Sequence, residues 1–176
     1  QAQAAYDAYN AGASMVHIHR RNPENPMAMS TKWEEFVEVN QKVRAKCPDL
    51  IINNTCIGGH VVDIDNNVIY PLSTPSIGAK PEVASLDVSC FSVDMPMKAR
   101  KAPLFGRDQD SILPFRYLIT YDEADKIAKE MYANDIMPEY EFFGLDDIKY
   151  INELIRRGTI KPDMTMWCSL LFNGNG

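Results

Sequence analysis

The sequence predicts a parallel α/β fold, on three observations. Short β-rich runs alternate with amphipathic helical stretches, the runs are apolar over most of their length, and the alternation resumes after each of two irregular insertions. Parallel neighbours need crossover connections, which intervening helices provide. Strands apolar nearly throughout fit a sheet covered on both faces. Two architectures satisfy this pattern, a doubly wound open sheet and a (β/α)8 barrel. The chain has no Gly-x-Gly-x-x-Gly and no Walker sequence, which removes the strongest support for a nucleotide-binding sheet.

Residues 2–11 are Ala-rich with Tyr6 and Tyr9 on one helical face, and Gly12 suits the C-terminal cap. A short strand follows at 14–19. Ser30 or Thr31 is expected to cap a helix running to about Ala45, with Trp33, Phe36, Val37 and Val43 on its face. Residues 50–55 read as a strand that breaks at Gly58 and Gly59. The stretch 60–80, with Pro71, Pro75 and Gly78, is expected to be mostly loop. Residues 83–88 form a strand, and 89–114 a second irregular stretch. Loops this long are uncommon in compact domains and often serve active sites. Helices at 122–133 and 145–157 then alternate with strands at 139–143 and 164–172.

Only five barrel strands are counted, whereas a complete barrel needs roughly 250 residues. Residues 1–176 are therefore expected to be one partial barrel domain, without the first strand and the C-terminal strands. A net charge of −6 and scattered basic residues exclude a nucleic-acid face. No apolar run reaches the roughly 20 residues that cross a bilayer, so no membrane association is expected. Cys47, Cys56, Cys90 and Cys168 lie far apart, which predicts reduced, mostly buried thiols in a cytoplasmic protein and no cysteine-based zinc site.

The sharpest chemical signal is His17-Ile18-His19. On a strand, residues i and i+2 share a face, so the two imidazoles form half of a zinc, iron or manganese site. The alternative is a pair of hydrogen-bonded histidines at a strand end. Their position favours metal, because barrel enzymes place ligands at the C-terminal ends of strands. Thr55 ends the next strand beside the Gly58–Gly59 turn, where exposed backbone N–H groups could hold a carboxylate or carbonyl oxygen. Taken alone, those residues read as plain turn chemistry. Ser85 and Asp87 share a face of the following strand, and Glu139 and Glu141 repeat the pattern among aromatics. A carboxylate there is costly to bury unless it is paired or metal-bound. Four strands thus bring polar groups to one end of the sheet.

These residues carry a resemblance. The segment AGASMVHIHRRNP (11–23) resembles the AGAxxVHIHVRDP signature of the β-keto acid cleavage enzymes. In collinear order, PDLIINNT (48–55), KPEVASLD (80–87), PEYEFF (138–143) and GTIKP (158–162) with the final strand and NGNG (173–176) are similar to further family segments. The resemblance implies a (β/α)8 barrel binding one Zn²⁺, with His17 and His19 as metal ligands. It also implies a reaction in which a β-keto acid and acetyl-CoA, the co-substrate, give acetoacetate and a new acyl-CoA. Thr55 falls on a substrate-binding hydroxyl, Ser85 on a second hydroxyl position and Glu141 on a catalytic carboxylate. Gly58, Gly59 and Asp87 join the substrate-binding set, and a homo-oligomer, a tetramer, is implied.

Departures occur at Arg20, Asn22, Ile57 and Gly144, where the family pattern has an aliphatic residue, an aspartate, a threonine and an acidic residue. The family's RxGxED motif, carrying its third zinc ligand, does not occur, so this polypeptide alone is expected to lack a complete site. Two other readings stay open: a metal-dependent barrel lyase or isomerase that does not use CoA, and a non-catalytic fragment.

Overall fold

Alanines, which form helix at the least entropic cost, build α1 (Ala2–Asn10), and Gly12 supplies the left-handed residue just beyond its end, at φ +100°. The chain is described by a computed structural model covering residues 1–25, 28–56, 58–101 and 107–171. After α1 come β1 (Met15–Ile18), α2 (Trp33–Lys46) and β2 (Ile51–Thr55). Glu34 and Glu35 in the first turn of α2, and Arg44 and Lys46 in its last, suit the helix dipole. Its cap residue is Lys32, not Ser30 or Thr31. The Ser30 hydroxyl instead accepts from the Lys32 N–H at 3.1 Å, so it stabilises the turn ahead of the helix.

The insertions that read as loop are in fact a second sheet. After β2 come β3 (His60–Val62), β4 (Val68–Tyr70) and the single turn α3 (Pro75–Gly78). Then β5 (Val83–Asp87) leads into β6 (Phe91–Met97) and β7 (Ser111–Leu118). Strands β4-β3-β7-β6 form an antiparallel sheet in that order. Its prolines hide it from a reading by breakers. Pro96 lies on the edge strand, and β3 pairs with β7 only at Arg116–Leu118, leaving Pro114 no bond to supply on that side. The strand signal is the alternation of Phe91, Val93, Met95 and Met97 with polar residues or proline.

The chain then returns to the α/β pattern with α4 (Tyr121–Ala133), β8 (Met137–Phe142), a 3-10 turn (Leu145–Asp147), α5 (Ile148–Arg156) and β9 (Trp167–Leu170). Thr120 and Glu123 make a reciprocal capping box at the start of α4. The end of the strand read at 164–172, with Phe172 and the NGNG run, lies outside the described residues.

Five strands, β1-β2-β5-β8-β9, form one parallel sheet, the incomplete (β/α)8 barrel. Its two faces differ in chemistry. Even-numbered residues such as Ile18, Ile52, Leu86 and Tyr140 pack outward under the helices, in two clusters. Burying each such side chain contributes about 1.5–3 kcal/mol. Odd-numbered residues, among them His17, Asn53, Asp87 and Glu141, turn to the interior. The strands are therefore apolar on one face only, and the interior row near their C-terminal ends is polar. All four cysteines are free: Cys47 and Cys56 are buried, but Cys90, in the turn before β6, and Cys168, on edge strand β9, are exposed. Among the described residues no helix is long and apolar enough to cross a membrane.

Candidate active site

The parallel register stacks the interior residues into rows. Thr55 lies level with Ser85, Ser85 with Glu139, and Asp87 with Glu141. His17 pairs with Asn53 across the β1–β2 ladder. Three strand spacings of about 4.8 Å separate β1 from β8, on the order of 14 Å in a flat sheet. Yet donor atoms of His17, Glu139 and Glu141 all lie within 4.8 Å of one another. Sheet curvature and side-chain reach close that gap. The three residues line a cavity of about 560 Å³ together with His19, Thr55 and Asp87.

His19 lies one residue past β1, its ring centroid 4.9 Å from that of His17. Its Nδ1 is 3.2 Å from the Met29 sulfur, and its backbone carbonyl accepts from the Gln1 amide at 2.5 Å. Desolvation, with the neighbouring charges of His17 and Arg21, pushes its pKa down to about 4, so the ring is neutral at pH 7. A neutral imidazole keeps the lone pair that metal coordination needs.

Glu139 is buried and held at both oxygens, by the Asn53 amide on Oε2 and the Ser169 hydroxyl on Oε1. Burial, then the charge of Glu141 and a hydrogen bond to it, raise the Asp87 pKa well above the carboxylate range. Burial also raises Glu141, opposed by the Asp87 hydrogen bond and the positive side of His17. Asp87 therefore holds its proton and donates a hydrogen bond to Glu141.

The remaining predicted residues divide. Thr55 and Asp87 reach the cavity wall. Ser85 is on the same row but buried beneath the wall, its hydroxyl without a protein partner. Gly58 and Gly59 are not brought to the cavity. The Gly58 N–H is turned to the Cys56 carbonyl at 2.7 Å, and Gly59 packs so closely on β7 that a Cβ would sit 2.6 Å from the Tyr117 ring. These glycines let the two sheets approach. Ile57, between Thr55 and this pair, lies outside the described residues.

The profile of the beta-keto acid cleavage enzyme family matches residues 1–175. The chain belongs to that family. It is 29% identical over 160 residues to the 3-keto-5-aminohexanoate cleavage enzyme of Acetoanaerobium sticklandii, covering 91% of this chain and 49% of that protein. It is 27% identical to the enzyme of the same name from Fusobacterium nucleatum, covering 93% of this chain and 50% of that one. The 3-dehydrocarnitine:acetyl-CoA trimethylamine transferase of Rhizobium meliloti is 26% identical, with 95% and 55% covered. The chain thus spans about half the length of the curated relatives it matches. The solved ternary complex of ObcA with a C4-CoA adduct and oxalate superposes with a TM-score of 0.57 at 17% identity, over 95% of this chain and 35% of that one. That likeness is one of fold.

Asn53 and Ser169, which grip Glu139, are not singled out by the sequence of this member of the beta-keto acid cleavage enzyme family. Their signal was faint: a polar residue at an interior position, two places from a predicted site residue in the case of Asn53. Phe143, on the cavity wall, carried no polar signal at all.

Proposed function

We propose that the parent protein is a zinc-dependent enzyme that exchanges acyl groups between a β-keto acid and acetyl-CoA. What supports this reading above all is the convergence of His17, Glu139 and Glu141 at the C-terminal ends of barrel strands in a chain of this family. Nitrogen and oxygen donors of this kind suit Zn²⁺. In this reading His17, His19 and a carboxylate of the Glu139–Glu141 pair would hold the ion. The chemistry that Zn²⁺ would supply there is that of a Lewis acid toward the ketone.

The acetyl group moves from sulfur to the α-carbon of the keto acid, freeing CoA thiolate, which then takes the original acyl group as the bond between that acyl carbon and the α-carbon breaks. The products are acetoacetate and the new acyl-CoA. Thr55 binds the substrate carboxylate, and the unpaired Ser85 hydroxyl offers a second polar contact below it. Glu141 handles the α-proton, supported by its hydrogen bond to the protonated Asp87.

The test is metal analysis of the full-length protein and acetyl-CoA-dependent turnover of a panel of β-keto acids, read as acetoacetate release. His17→Ala and His19→Ala should lose bound zinc and activity together. Retention of both in either variant refutes the assignment for that residue, and turnover without acetyl-CoA would favour a lyase instead.

A further inference from the structure

The antiparallel sheet that replaces the expected loops forms a second wall above the site. Strands β3 and β6 both start just past the C-terminal ends of barrel strands, so the sheet stands over the mouth of the barrel. Phe91, Val93, Met95, Leu113 and Phe115, alternate residues of the β6–β7 hairpin, line one side of a groove of about 440 Å³. The groove shares His19, Thr55, Asp87 and Phe143 with the metal-side cavity, so the two are continuous.

Its chemistry is selective. Among its described lining residues the single carboxylate is Asp87, which lies at the end the groove shares with the metal-side cavity. The aromatic rings are not arranged as a cage for a cation. Phe91 stacks on Phe143 at 4.2 Å and on Tyr117 at 5.3 Å, so its ring faces are taken by other rings. Apart from Tyr70, Phe115 and the residues shared with the metal-side cavity, what remains toward the groove is aliphatic and thioether surface. Met95 and Leu113 are 40% and 42% exposed there, apolar area that a ligand can cover.

We propose that this groove is the subsite for the chain carried by the keto acid, and that the chain is uncharged and apolar, an alkyl or arylalkyl group of several carbons. The inference rests on the proposed reaction. The acetyl group of the co-substrate is too small to need such a groove, and the amides of its pantetheine arm would find few partners on this apolar lining, so the occupant is the acyl group that leaves as the new thioester.

The full-length protein is titrated calorimetrically with butanoate, hexanoate, octanoate and 8-aminooctanoate, which cannot react. Its turnover is measured in parallel with 3-oxohexanoate and 3-oxooctanoate. Affinity should rise up to about four-fold per methylene, and 8-aminooctanoate should bind at least about ten-fold more weakly than octanoate. Leu113→Asp, at a partly exposed position, should flatten the series while leaving the KM for acetyl-CoA unchanged. Met95→Asp serves as a second variant. The series persisting without turnover of any keto acid would uphold the groove and reject the proposed reaction. Turnover indifferent to chain length, or equal binding of the amino acid and octanoate, overturns the groove. An unchanged series in both variants, with loss of oligomer, would overturn it too and assign the face to contact between copies.

Discussion

The side-chain amide of Asn53 on β2 donates to the carboxylate of Glu139 on β8, across the barrel interior with β5 between their strands. This bond and the Ser169 hydroxyl fix the carboxylate where it faces His17. Groups that orient metal ligands usually matter nearly as much as the ligands. At the proposed zinc site, Asn53→Ala in the full-length protein should weaken metal binding about 10–100-fold, read by competition with a chelator. An unchanged affinity would show that Glu139 needs no such support.

Gly59 marks where the two sheets touch. A Cβ there would lie 2.6 Å from the Tyr117 ring and 2.7 Å from the Leu118 carbonyl oxygen, and the second of these is backbone that cannot swing away. Gly59→Ala should cost about 1–3 kcal/mol, as overpacked sites do. Denaturant unfolding measures it. A loss under a few tenths of a kcal/mol would mean that the sheets separate freely.

Asp125 ties α4 to the turn after α5. Burial works against its charge, but bonds from Lys129 at 2.7 Å and from the Thr159 hydroxyl outweigh it and lower the pKa. A depressed carboxylate stabilises the fold above its unfolded pKa of about 3.9, and that stability is lost as pH falls through the lower folded value. Asp125→Asn should therefore cost on the order of 1 kcal/mol at pH 7. Its deficit should shrink below about pH 4. Equal deficits at pH 7 and pH 3 would contradict the ionic role.

Cys56 follows Thr55 directly yet is fully buried, and burial pushes its thiol up to about 12. Alkylation of the native protein at pH 8 should leave Cys56 unmodified and label the exposed Cys90, as peptide mapping would show. Labelling of Cys56 at the rate of Cys90 would indicate local opening at the end of β2.

Much of the site was legible because strand periodicity is local. His17 with His19, Ser85 with Asp87 and Glu139 with Glu141 each share a face by spacing alone. The antiparallel sheet was missed because proline and charge dominated a reading of 60–80 and 89–114, although Phe91, Val93, Met95 and Met97 alternate as a strand should. Pro114 is tolerated only because β3 ends short of it, a fact of pairing that no local pattern contains.

By itself, then, the sequence determined the alternation of strands and helices, the residues that face inward, and the family. The tertiary structure decided which of those residues meet. His17 and Glu141 are 124 positions apart and three strands apart, and the curvature of the sheet together with side-chain reach brings their donor atoms within 4.8 Å. The same holds for Gly59, which meets the Tyr117 ring of a sheet folded back over it. Periodicity fixes the direction of a side chain from bonds to its neighbours, whereas proximity across a barrel depends on the summed packing of every strand between.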